Sequence, residues 1–141
     1  MAFKLERALS APNFEQYELY PTTASETYKQ GEVLTITNGK VTAAGDDTDG
    51  TQMFICGADY VAPASGNLPI PVYRIQPNMV FRVKSQADNS AGVIGTLVTL
   101  HTDELQVTAT TTKGVFEIID LLGNGAAGTE ILGRFPTAAG R

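Results

Sequence analysis

Apolar and polar positions change rhythm once along this chain, near Gly31. Before that point Phe3, Leu5, Leu9, Phe14, Tyr17, Leu19 and Tyr20 keep neither a helical nor a strand period. Leu5 and Leu9 are spaced to share one helical turn, but Pro12 follows too closely for that turn to grow. Residues 1–30 therefore predict an N-terminal arm or peripheral layer, with enough aromatic side chains to dock on something. From Gly31 the pattern turns to strands. In GEVLTITNGKVTAA the dipeptide Asn38-Gly39 separates two alternating runs, and a two-residue type I′ turn needs positive φ at both of its central positions, which Asn and Gly tolerate best. Such a turn pairs Thr37 with Lys40, Ile36 with Val41, Thr35 with Thr42 and Leu34 with Ala43. Leu34, Ile36, Val41 and Ala43 then share one face, and the Thr35–Thr42 pair points to the other.

Further strands are expected at Met53 to Cys56, Val72 to Ile75, Met79 to Val83, Val93 to Leu100, Leu105 to Thr110, Val115 to Leu122 and Ile131 to Phe135. The three prolines of APASGNLPIP, residues 62–71, bracket Ile70 between Pro69 and Pro71 and predict an edge or an extended connection there, not a central strand. About eight short strands at this spacing, with turn signals between them, indicate a mostly β fold, a small barrel or sandwich, over residues 31–141.

Composition agrees. The 141 residues suit one domain; 43% are hydrophobic and only 18% charged, below the usual quarter or so. The net charge is −5 and the ten basic residues are scattered, so no stripe is present to hold a phosphate backbone and nucleic acid is not an expected partner. No apolar run is long enough for a membrane span, and MAFKLERALSAPNF lacks the apolar centre of a signal peptide, so synthesis in a cytoplasm is expected. The single cysteine, Cys56, excludes a disulfide within the chain.

Candidate chemistry is sparse. Gly123 to Gly128 spells G-x-G-x-x-G, but Pro136 and the nearby end of the sequence leave no space for the helix and second strand of a dinucleotide site, so a flexible turn is expected. Asp46, Asp47 and Asp49 precede Gly50 as in a calcium loop. Aligned on that glycine, however, Gly45 and Cys56 occupy the places of the first ligand and the bidentate Glu. His101 lies near Asp103 and Glu104, yet the sequence has no G-x-S-x-G elbow, and Cys56 sits in an apolar strand where an inert thiol is expected. One His and one Cys cannot supply a catalytic zinc site. No catalytic residue, metal or cofactor is expected.

From Gly31 to about Val83 the order of features is a G-E-x-L strand, the Asn-Gly hairpin, KVT with an acidic turn, an F-I-x strand, then IPVYRI and VF. In this order the chain resembles the small capsid decoration (cement, head-stabilising) proteins of tailed double-stranded DNA bacteriophages, similar to the lambda-type head decoration proteins. The resemblance implies a β-barrel or β-tulip-like domain, a homotrimer, and a structural role on the capsid exterior of the virion, bridging subunits of the major capsid protein after synthesis in the bacterial host. It further implies an N-terminal arm that meets the shell, which here would present Phe3, Leu5, Phe14, Tyr17 and Tyr20. Another virion component, such as a tail or fibre protein, is the alternative within the structural class. A carbohydrate-binding module is the alternative outside it, although such modules often use Trp, which is absent.

Overall fold

The Asn38-Gly39 turn closes with φ of 53° and 78°, the left-handed pair that a type I′ hairpin requires. Strands β4 (Val33–Thr37) and β5 (Lys40–Ala43) pair in the register anticipated from the sequence, from Thr37 opposite Lys40 to Leu34 opposite Ala43. In this computed structural model the described residues are 3–8, 17–46, 48, 50, 52–65, 68–89 and 94–138, and they form strands without any helix. The fold is mostly β and its sheets do not close into a barrel.

Three sheets are stacked. The middle one has five strands in the order β2 (Tyr17–Pro21), β8 (Pro69–Arg74), β6 (Met53–Cys56), β4, β5. A six-stranded sheet covers one of its faces, with the path β1 (Lys4–Ala8), β9 (Met79–Ser85), β13 (Glu130–Arg134), β12 (Phe116–Leu121), β10 (Leu97–Val98), while β11 (Gln106–Val107) pairs in parallel with β9. The two-stranded ribbon of β3 (Thr27–Tyr28) and β7 (Tyr60–Val61) accompanies the other face.

Two cores follow from this arrangement. Val33, Met53 and Ile55 of the middle sheet pack against Phe81, Val83, Phe116, Ile118 and Ile131 of the large sheet. Leu34, Val41, Phe54, Cys56, Ile70 and Val72 point the other way and pack around Tyr28 and Ala62. Strand β6 is buried at all four of its residues, which is why its sequence, MFIC, is continuously apolar instead of alternating. The Tyr28 hydroxyl donates to the Val41 carbonyl at 2.5 Å and accepts the Thr23 N–H at 2.7 Å, so the ring can be buried without an unpaired oxygen. Near Tyr28, Thr22 bridges Val41 in parallel, bringing the two ends of the middle sheet toward each other.

At β8 the architecture extends the sequence expectation, and along the first thirty residues it departs from it. Strand β8 is central at Val72 and Tyr73, which pair with both β6 and β2, whereas Pro69 to Pro71 pair with β2 alone, the edge-like placement that the prolines predict. Pro71 O accepts the Gly57 N–H and Met53 O accepts the Ile75 N–H, so alternate residues of β8 turn their backbone groups toward β6. Both prolines belong to that set, at the end where β6 has already run out. The intervening residues Ile70 and Val72 face β2 and keep their donors. The departure is that the expected boundary at residue 30 does not divide an arm from a body. Strand β1 is zipped to β9, β2 to β8 and β3 to β7. The irregular spacing arises because three short strands enter three different sheets, and β1 has a register shift between Leu5 and Arg7.

Phe3 is 3% exposed and completes an aromatic cluster with Phe81, Phe116 and Phe135, at centroid distances of 6.4, 5.6 and 5.5 Å. The close fit of this cluster needs Gly133: a Cβ there would lie 2.3 Å from the Phe116 ring and 2.4 Å from the Glu117 carbonyl oxygen. Phe3→Ala is expected to lower unfolding free energy by roughly 3–5 kcal/mol, the usual cost of truncating a buried Phe, whereas exposed Tyr17→Ala should change it by about 0.5 kcal/mol or less. Urea titration monitored by circular dichroism measures both, and a Phe3 variant as stable as wild type would contradict its placement in the core.

Candidate functional site

The most distinctive surface grows from the pairing of β2 with β8. Tyr17 lies opposite Tyr73, Leu19 opposite Pro71 and Pro21 opposite Pro69, and directly opposed residues of an antiparallel pair share one face. All six are apolar or aromatic, and no charge interrupts them. Tyr17 and Leu19 are each 59% exposed, and Leu68, just before β8, is 64% exposed. Tyr73 also lines a cleft of about 250 Å³ with Phe3, Leu5, Ile55, Met79 and Phe81, between the two large sheets and bordered by Lys4 and Arg74.

The opposite face of the same strand pair holds β2 in place. Glu18 accepts two hydrogen bonds from the Arg74 guanidinium, from Nε and Nη2, both at 3.0 Å. The Tyr20 hydroxyl donates to Glu18 at 2.7 Å and accepts from Arg74 Nη2 at 2.7 Å. The guanidinium carbon also lies 5.0 Å from the centre of the Phe54 ring. The Arg74 hydrogen bond holds the Glu18 carboxyl below its ordinary range, and the hydrogen bond to Glu18 pushes the Tyr20 phenol up. With Glu18 40% exposed this network is worth little to global stability, but its bidentate geometry fixes the angle of the strand. Tyr17 and Leu19 are therefore presented by an ordered strand.

The five residues expected to meet a partner are scattered by the fold. Phe3 is in the core, and Leu5 packs against that core, so neither is a free contact residue. Phe14 lies outside the described residues. Tyr20 is half-buried against Phe54, with ring centroids 5.3 Å apart, and its hydroxyl is engaged. Tyr17 alone of the described four is open to solvent. Leu19, Pro71 and Tyr73, which complete its face, were not among the expected contacts. The signal for them was the matching alternation Tyr17-Leu19-Pro21 and Pro69-Pro71-Tyr73, which becomes a surface only when the two segments are known to pair.

The remaining sequence candidates become structural elements. Gly123 to Gly128 forms the loop between β12 and β13, with Gly125 and Gly128 at φ of 82° and 87° and the Asn124 side chain accepting the Ala126 N–H. His101 Nδ1 lies 3.3 Å from Asp103 in a hairpin turn, and Asp103 also accepts from the Leu105 N–H and the Gln106 amide. Asp47 and Asp49 of the acidic loop lie outside the described residues. Cys56 is 1% exposed, and its thiol donates to the Ala58 carbonyl at 3.1 Å. Glu104, beside His101 in sequence, and Glu32 are both buried, at 7% and 6% exposed.

Burial pushes the Cys56 thiol up to about 11, so almost no thiolate is present at neutral pH. Cys56 should resist iodoacetamide in the native protein and react promptly in denaturant. Stoichiometric labelling of the folded chain, read by mass spectrometry, would contradict that burial. No protein-family model and no curated protein sequence matches this chain, so any functional reading starts from the sequence resemblance and the apolar β2–β8 face.

Proposed function

We propose that this chain is a structural protein of a tailed-phage virion that binds the capsid exterior and stabilises the shell by bridging major capsid protein subunits. The observation that carries this reading is the uncharged β2–β8 face, with Tyr17 and Leu19 each 59% exposed on an ordered strand. The resemblance of residues 31–83 to capsid decoration proteins supplies the class of partner. A contiguous exposed apolar surface marks a protein contact more readily than a small-molecule site.

Magnitudes favour a multivalent arrangement. Tyr17 and Leu19 together expose on the order of 200 Å² of apolar surface, against roughly 800 Å² per partner in a stable pairwise interface. At about 25 cal/mol per Å² the gross gain is roughly 5 kcal/mol, at the low end of the 4–15 kcal/mol cost of association. One such contact alone is weak. A homotrimer engaging a shell that repeats its binding sites would add the contacts by avidity. Because β2 is already paired with β8, little ordering entropy opposes the contact, unlike that of an unfolded arm.

The charge-introducing double variant Tyr17→Lys/Leu19→Lys should fold as wild type does and lose binding to mature capsids by about a hundredfold or more, measured by co-sedimentation. Binding at the wild-type level would remove this face from the proposal. Failure of the wild-type protein to sediment with any expanded shell would remove the function itself.

A further inference from the structure

Glu104 sits in the turn of the hairpin that runs from β10 to β11, closed by the bonds His101 N–H to Gln106 O and Glu104 N–H to His101 O. Its φ is 57°, a left-handed conformation that is uncommon for a side chain of this kind. That geometry places both ends of the residue against the middle sheet. The Glu104 carbonyl accepts the N–H of Val33 at the start of β4, at 3.1 Å, and its carboxyl oxygen Oε2 accepts the Gly45 N–H just beyond β5, at 3.1 Å. Glu104 thereby fastens the β4–β5 hairpin of one sheet to a turn of the other. Glu32, the residue before Val33, is equally buried and accepts the Lys29 N–H at 3.1 Å.

We propose that this junction is a pH-sensitive clamp between the two sheets, tight while the Glu32–Glu104 pair retains a proton and loosened when both carboxyls ionise. Within the field of the pair stand Asp103 on the same turn, Asp46 beyond β5 and Glu26 beside β3, all acidic. Facing them are Lys29, which favours ionised Glu32, and His101, which lies against Asp103. Among these groups the acids outnumber the cations, and neither buried carboxyl has an ion-pair partner among the described salt bridges. Desolvation, then the charge of Glu32, raises Glu104 to about 7 over the opposing Gly45 hydrogen bond, which favours the carboxylate, and desolvation also raises Glu32. The folded state thus holds the Glu104 proton more tightly than the unfolded chain does. The associated stability is fully present below the ordinary Glu value of 4.5 and is lost as pH rises through about 7.

The wild-type chain is to be compared with Glu104→Gln and Glu32→Gln between pH 5.5 and 8.5. In wild type the melting temperature should fall as pH rises. The Val33 and Gly45 amides should become at least tenfold less protected from hydrogen exchange at pH 8 than at pH 6, after correction for intrinsic rates. Glu104→Gln keeps an oxygen to accept from Gly45 but carries no charge, so it should melt higher than wild type at pH 8 and retain that protection. Equal pH dependence in wild type and variant, or unchanged protection of the two amides in wild type, overturns the clamp. If the variants do not fold, carboxyl ¹³C titration of wild type decides: a Glu104 midpoint near neutrality supports the clamp, and one in the ordinary carboxylate range overturns it.

Discussion

Burial of the middle sheet on both faces is the constraint from which the rest of the structure follows. Val33 and Leu34 are consecutive and both buried, in different cores, as are Phe54 and Ile55. A strand in that situation cannot trade one side chain for solvent, and a slip of one residue in register would exchange the contents of the two cores. The Asn38-Gly39 turn guards against such a slip locally, and the Tyr28 hydroxyl bonded to Val41 guards against it from the third layer.

A sheet covered twice needs layers supplied by the rest of the chain, and the N-terminal residues are used this way. Phe3 closes the aromatic cluster of the first core, and β3 contributes Tyr28 to the second. Strand β2 extends the middle sheet past the region where the large sheet covers it. Its outward side chains thus reach solvent, while those on the reverse face are held by Arg74 and Phe54. The exposed apolar face is a by-product of strand order, held in place by the β2–β8 pairing and the Glu18–Arg74–Tyr20 hydrogen bonds.

Charges are distributed consistently with this plan. On the solvent face of the large sheet, Arg82 bridges Glu6 and Glu130, and Arg134 pairs with Glu117. Each of these exposed pairs contributes little to stability, but they favour the correct neighbour across β1, β9, β13 and β12. The exposed β2–β8 face carries no such pairs. The buried Glu32 and Glu104 are the exception to the rule that charge stays outside, and they lie where the two large sheets are joined.

Local chemistry was enough to determine the Asn-Gly hairpin and its register, the strand at Met53 to Cys56, the turn character of Gly123 to Gly128 and the mostly β class. Each depends on interactions between residues close in sequence, or on composition. Tertiary structure alone decided that β8 could be central, because the alternation of its hydrogen bonds places Pro69 and Pro71 beyond the end of β6. It also decided that Phe3 is core while Tyr17 is surface, since both are aromatics in an aperiodic stretch and only the sheet each strand joins distinguishes them. Leu19 gained its place beside Pro71, and Glu104 its place beside Val33, through contacts between segments some fifty to seventy residues apart. Pairing over such distances is selected by the free energy of the whole packed fold, which no local pattern encodes.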